Sequence, residues 1–236
     1  MVMRDKPPQQ SPLISAQNIC LWRGDKPLLS SINLTIARGE TTIIMGQNGA
    51  GKTMLLSALH GIVPIQSGTI THAPALSQKP ALSQKMVFQK PILLRRTAAA
   101  HFSFASMIHD EATIRTWFEK AGMADKMTTK ARHLSSGEAQ KLALIAALAA
   151  KPDCLFLDEP TANLDLESRA DVEALLQEAK AQGTTLVMVT HAHAQAKRLA
   201  DTIIYMQQGV IYDHAPAAAF LDGERSPEAS AFLSEL

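Results

Sequence analysis

An α/β fold built on a mostly parallel sheet is what this sequence predicts, and three observations carry it. Thr41-Thr42-Ile43-Ile44-Met45 has the pattern of a buried strand; a glycine-rich loop follows, and the apolar-periodic segment Thr53 to His60 reads as a helix closed by Gly61. A second unit repeats the alternation: Cys154-Leu155-Phe156-Leu157 leads into Asp158-Glu159-Pro160, a helix is predicted over about Leu166 to Gln182, and Thr185 to Thr190 forms a further buried strand. Third, 236 residues with 46% apolar and 19% charged composition suffice for one globular domain with a real core, or one with an inserted subdomain.

The other elements follow in chain order. Residues 1–12 lack apolar periodicity and are expected to form a disordered leader, leaving 13–236 as a single domain. Leu13 to Trp22 and Leu28 to Ile36 alternate apolar and polar residues around the turn-like Arg23-Gly24-Asp25-Lys26-Pro27, which predicts an N-terminal antiparallel β region. Arg38-Gly39-Glu40 makes the next turn. Between Pro74 and Lys85 the hexapeptide Pro-Ala-Leu-Ser-Gln-Lys occurs twice, too short a repeat for a solenoid, and is read as a duplicated surface loop. From about 91 to 140 the pattern becomes helical, a small subdomain inserted into the core, and the short tail beyond Ala215 is expected to end in a helix.

Charge and composition exclude several functions. A formal net charge of +1 supplies no bulk attraction for a polyanion, so no nucleic acid is expected. The longest apolar stretches, such as Leu142 to Ala150, are about half of the roughly 20 residues a bilayer-crossing helix needs. No secretory apolar core follows Arg4 and Lys6, which points to a cytosolic home. The two cysteines, Cys20 and Cys154, show neither disulfide nor zinc spacing and are expected to be small buried residues. His101, His109 and His193 fit no functional pattern and are expected at the surface or in packing.

The chemistry concentrates in a few segments. Gly46-Gln47-Asn48-Gly49-Ala50-Gly51-Lys52-Thr53 satisfies GxxxxGK[ST] between a predicted strand and a predicted helix, the context a phosphate-binding loop requires. Glycines let backbone amides converge on phosphate at a positive helix end, Lys52 can reach the β- and γ-phosphates, and the Thr53 hydroxyl can ligate Mg²⁺. Asp158 and Glu159 close an apolar strand; the first suits the metal, through its water shell, and the second suits a general base for an attacking water. Leu134-Ser135-Ser136-Gly137-Glu138 precedes a helical run, and its serine and glycine amide could form an anion site at a helix N-terminus or serve as a plain capping box.

At this point the chain resembles the nucleotide-binding subunits of ATP-binding cassette (ABC) transporters, which have a P-loop ATPase core, and the resemblance covers roughly Leu13 to His214. The family signature LSGGQ is altered twice here, with Ser136 for glycine and Glu138 for glutamine, while Ser135 and Gly137 are kept. A strained backbone angle at Ser136 would slow closure. The resemblance implies further that Gln89 senses Mg²⁺, that Asp165 communicates across a dimer, that His191 contacts the γ-phosphate and that Trp22 stacks on adenine. ATP and Mg²⁺ are the implied cofactors, and ATP is sandwiched between the phosphate loop of one copy and Ser135 and Gly137 of another, giving a homodimer with two composite sites. The implied partners are integral-membrane permease subunits and an extracytoplasmic solute-binding protein, with the chain peripheral on the inner face of the cell membrane. Gln89 to Arg96 looks similar to the matching part of tungstate-type oxyanion uptake ATPases. Lipid or other export systems, and soluble members acting on nucleic acid or ribosomes, are the alternatives.

Overall fold

The computed structural model describes residues 12–77, 83–162 and 164–234. The expected leader therefore lies, but for its last residue, outside the described residues, as do the middle of the duplicated hexapeptide and Asn163. Two sheets pack on each other. Strands β1 (Ile14–Arg23), β2 (Lys26–Ile36) and β4 (Ser67–His72) form an antiparallel sheet in the order β2-β1-β4. The six-stranded sheet also contains β3 (Thr41–Met45), β5 (Gln84–Val87), β6 (Cys154–Asp158), β7 (Thr185–Val189), β8 (Thr202–Gln207) and β9 (Val210–Pro216), and runs β5-β6-β7-β3-β8-β9. Pairing is parallel from β5 through β8, and only β9 returns antiparallel.

Alternation along the central strands divides the core. Ile43, Met45, Leu155, Leu157, Leu186, Met188, Ile203 and Tyr205 face one layer of helices. Their neighbours Ile44, Phe156, Val187, Val189, Ile204 and Met206 face the antiparallel sheet and α1 (Lys52–His60). Because β3, β6 and β7 are buried at every position, their continuous apolar runs reflect cover on both faces of a parallel sheet.

The helices end where local chemistry tells them to. Gly61 takes a left-handed φ of 90° and its N–H reaches Ser57 O and Ala58 O, stopping α1. A one-turn helix, α2 (Pro74–Ser77), follows β4. In α3 (Ala98–Ser106) and α4 (Glu111–Lys120) the side chains of Thr97 and Asp110 cap the first turn, accepting from Ala100 N–H and Thr113 N–H. Ala98 N–H to Thr129 O (2.8 Å) and Ala131 N–H to Arg96 O (2.8 Å) tie the two ends of this segment together, and Phe102 packs edge-on against Phe118. The helical stretch continues in α5 (Ser136–Ala149), whose Leu142, Leu144 and Ile145 enter the core beneath the sheet. Then come α6 (Leu166–Ala181), α7 (His193–Leu199), α8 (Ala217–Leu221) and α9 (Pro227–Ser234), the last supplying the expected C-terminal helix.

The cysteines part company with the expectation that both are buried. Cys154 is buried in β6, and desolvation pushes its thiol well above the usual range. Cys20 is half-exposed, and hydrogen bonds from Ser67 and Ser31 hold its thiol below the usual value. Ellman titration of the native protein is expected to consume one equivalent promptly, assigned to Cys20, with the second released only on denaturation.

Candidate functional site

The site begins with the strand order. Five parallel strands end along one edge in the sequence β5-β6-β7-β3-β8, so the segments that leave them lie side by side. Gly46 leaves β3, Gln89 follows β5, Asp158 and Glu159 close β6, His191 follows β7, and Gln208 with Gly209 turn between β8 and β9. In α/β sheets ligands bind in the crevice outside the carboxyl ends of the strands. A cleft of about 880 Å³ opens there, lined by Asn48 to Thr53, Gln89, Glu159 and His191, and on its outer side by Lys26, Pro27, Leu28 and Gly209.

The loop's shape rests on two glycines. A Cβ on Gly46 (φ +145°) would sit 2.0 Å from Met206 O, and one on Gly51 (φ +100°) would sit 2.7 Å from Leu28 O. Backbone thus presses on backbone, and no side chain fits. The chain Gly209 N–H to Ala50 O (2.9 Å) and Ser30 N–H to Gly209 O (2.8 Å) fastens the loop to the β8–β9 turn and β2.

Lys52 is buried at the first turn of α1 and donates from Nζ to Gly46 O (2.8 Å) and Gln47 O (2.9 Å). Burial lowers its pKa, against the pull of Glu159 and Asp158. Thr53 Oγ1 donates to the Asp158 carboxylate at 3.0 and 3.2 Å. Burial raises the Asp158 pKa, and the Thr53 hydrogen bond works the other way. Two hard oxygen donors therefore meet beside the phosphate loop, a set that fits a hydrated Mg²⁺.

Glu159 stands at the centre. Its Oε1 lies 2.6 Å from His191 Nε2 and its Oε2 accepts from Gln89 Nε2 at 2.8 Å. Its backbone is left-handed at φ 47°, a strained position for a non-glycine residue, with its N–H donating to Val189 O at 3.0 Å. The Gln89 loop is held from below, where Gln140 on α5 donates to Phe88 O at 3.3 Å.

Other expected residues lie elsewhere. Ser135 and Gly137 do not line this cleft. Ser135 caps α5: its Oγ accepts from Glu138 N–H (3.2 Å), and Glu138 Oε2 accepts from Ser135 N–H (2.8 Å), a full capping box, while Lys126 pairs with Glu138 at 3.1 Å. Ser136 sits in the first helical turn with a negative φ, so the condition for slowed closure, a strained angle there, is not met in this structure. Asp165 caps α6, accepting from Ser168 N–H at 2.7 Å. Trp22 is 40% exposed at the end of β1; its cross-strand neighbour Pro27 lines the cleft and Trp22 does not. His101 is buried and accepts from Leu94 N–H at 3.3 Å, as a packing residue would. Sequence reasoning missed the contribution of Lys26, Leu28, Gln208 and Gly209, whose local signals are two separate hairpin turns, one after β1 and one after β8.

Comparison with known proteins bears on this geometry. The family model described as ABC transporter matches residues 29–162. The glutamine transport ATP-binding protein of Bacillus subtilis (strain 168) is 32% identical over 239 residues, covering 95% of this chain and 99% of the relative. The tungstate uptake system ATP-binding protein of Peptoclostridium acidaminophilum is 32% identical over 203 residues, covering 83% of this chain and 95% of the relative. The phosphate import ATP-binding protein of Campylobacter jejuni is 29% identical over 239 residues, covering 92% of this chain and 96% of the relative. Among solved structures, an ATP binding subunit of an ABC transporter superposes with a TM-score of 0.82 over 94% of this chain and 98% of the other, at 22% identity, a likeness of fold.

The raised pKa of Asp158 makes a testable trade-off. Its charged form is disfavoured in the folded state, so ionisation costs stability as pH rises through the folded pKa. Asp158→Asn is expected to raise the melting temperature of the nucleotide-free protein at pH 7 to 8, with the gain shrinking as acidification returns the proton to the native carboxyl. Melting curves against pH check this.

Proposed function

Because this chain belongs to the ABC transporter family, as one of its ATP-hydrolysing ATP-binding subunits, we propose that it drives solute uptake through a membrane permease by hydrolysing ATP in the cleft around Glu159. The observation that carries the proposal is the convergence of the phosphate loop, the Thr53–Asp158 pair and the Gln89–Glu159–His191 chain at one sheet edge.

The loop amides from Asn48 to Thr53 and the Lys52 ammonium hold the phosphates. Thr53, Asp158 and Gln89 would hold Mg²⁺, Asp158 through water; when bound, the ion neutralises phosphate charge. Glu159 takes a proton from the attacking water as its oxygen bonds the γ-phosphorus; the bridging oxygen leaves with ADP. His191, in contact with Glu159, positions that carboxylate and faces the γ-phosphate. Ser135 and Gly137 serve the cleft of a second copy, a reading supported by their place outside their own, and the active unit is then a homodimer in which Asp165 communicates between copies.

The permease docks on the groove between Met86, Phe88, Ile92, His101 and Ala143, where Ile92 is 84% exposed, so that the helical stretch of about 91–140 transmits closure. Among the described residues no helix is long and apolar enough to cross a membrane, which suits a subunit peripheral on the cytoplasmic face. The relatives named for tungstate uptake and phosphate import support uptake as the direction, and an extracytoplasmic solute-binding protein would hand the solute to the permease. The short Gln89–Arg96 likeness and the tungstate relative make an oxyanion one candidate solute, beside the amino acid of the glutamine relative.

Glu159→Gln is expected to lower kcat for ATP hydrolysis by about 10² to 10⁴ while retaining nucleotide; wild-type turnover would overturn the base assignment. Lys52→Ala is expected to weaken ATP binding by about 10- to 100-fold, the worth of hydrogen bonds to a charged group, measured by equilibrium titration. Affinity capture of tagged Glu159→Gln protein with ATP from solubilised native membranes is expected to recover a permease. Recovery of ribosomes with no membrane subunit would reject the transport reading.

A further inference from the structure

Three buried polar residues outside the cleft, Thr161, Glu173 and Gln195, form one connected set. Gln195 on α7 is fully buried, and its Nε2 donates to Thr161 Oγ1 (3.0 Å) and to Glu173 Oε1 (3.1 Å). Glu173, on α6 and 7% exposed, also accepts two hydrogen bonds from Arg198, Nε to Oε2 and Nη2 to Oε1, both at 2.8 Å. Arg198 follows Gln195 on α7 by three residues, so one face of this short helix is anchored twice to α6 and once to the loop after β6.

Packing alone does not account for Gln195. Its Oε1 is buried with no hydrogen-bond partner among the described residues, a cost that an apolar side chain of equal volume would not carry. The return is positional. Thr161 lies two residues beyond Glu159, in a loop closed by Ala162 N–H to Glu159 O (3.2 Å) and Leu164 N–H to Thr161 O (3.3 Å). At the other end, α7 starts two residues beyond His191 and has no side-chain cap to set its register. The Glu159–His191 contact of 2.6 Å therefore joins two segments that Gln195 also links, through the Thr161 hydroxyl.

We infer that Gln195 is a positioning residue of the hydrolytic site, its amide holding the loop that carries Glu159 in register with the helix that follows His191. This rests on the proposed role of Glu159 in hydrolysis. Such a residue acts on kcat and leaves nucleotide affinity alone, because it touches neither the phosphate loop nor the cleft lining.

The test uses the full chain and steady-state ATP hydrolysis. Gln195→Met, which keeps volume and removes the amide, is expected to lower kcat about tenfold with KM within twofold. Thr161→Val should do the same, Thr161→Ser should recover kcat to within twofold of native, and Gln195→Met/Thr161→Val should be no slower than the slower single variant. A wild-type kcat in Gln195→Met, or losses that multiply in the double variant, would overturn the inference. If Gln195→Met does not fold, judged by its melting curve, the Thr161→Val and Thr161→Ser pair decides alone: a normal kcat in Thr161→Val rejects the coupling. Undiminished hydrolysis by Glu159→Gln would instead reject the reading of the site itself.

Discussion

Parallel hydrogen bonding of β3 between β7 and β8, and of β6 between β5 and β7, is the constraint on which the rest of this structure depends. Strands that run the same way end on the same side, so every connection leaving them starts from one edge. The phosphate loop, the Asp158–Glu159 pair, His191 and Gln89 are far apart in the chain and become neighbours because register places those strand ends together. Asp158 pairs with Val189 across β6 and β7, which sets Glu159 one residue beyond and His191 two residues beyond that step. That offset brings the two side chains within reach of each other, at 2.6 Å.

The same edge concentrates what is costly. Lys52 and Asp158 are charged groups taken partly out of water, each pushed toward its neutral form by burial, and Glu159 holds a left-handed backbone. Glycines at 46 and 51 bring main chain against main chain where no side chain fits. Such features persist where the surroundings over-determine them. Here the surroundings are a sheet apolar on both faces, with alternate residues of β3, β6, β7 and β8 committed to separate clusters. Burial of that surface offsets the polar cost at its end.

The loop before α5 shows one set of atoms suited to two uses. As it stands, Ser135 and Glu138 satisfy each other's amides, and Lys126 balances the carboxylate. That arrangement gives Glu138 a structural reason, a helix cap, independent of any nucleotide. It also leaves Ser136 in ordinary helical conformation, so replacing glycine there costs no strain. Asp165 has a comparable local role as the cap of α6.

Much of this was legible in the sequence because its signals are local. GxxxxGK[ST] after a buried strand, Gly61 after a helix, and apolar runs ending in Asp-Glu or Thr-His each depend on a few adjacent residues, so the sequence by itself determined an α/β phosphate-loop fold and most of the residues at the strand ends. Relations between distant segments were beyond its reach. Strand order, the approach of Leu28 and Gly209 to the phosphate loop, and the exclusion of Trp22 from the cleft lining depend on how the antiparallel sheet packs over β8 and β9. The link from Thr161 through Gln195 to Glu173 and Arg198 is equally silent in sequence, since none of the four stands in a motif. Only the tertiary structure decided these, because hydrogen bonds and burial are set by distance in space, and alternation and motif spacing carry no information on which strand lies beside which.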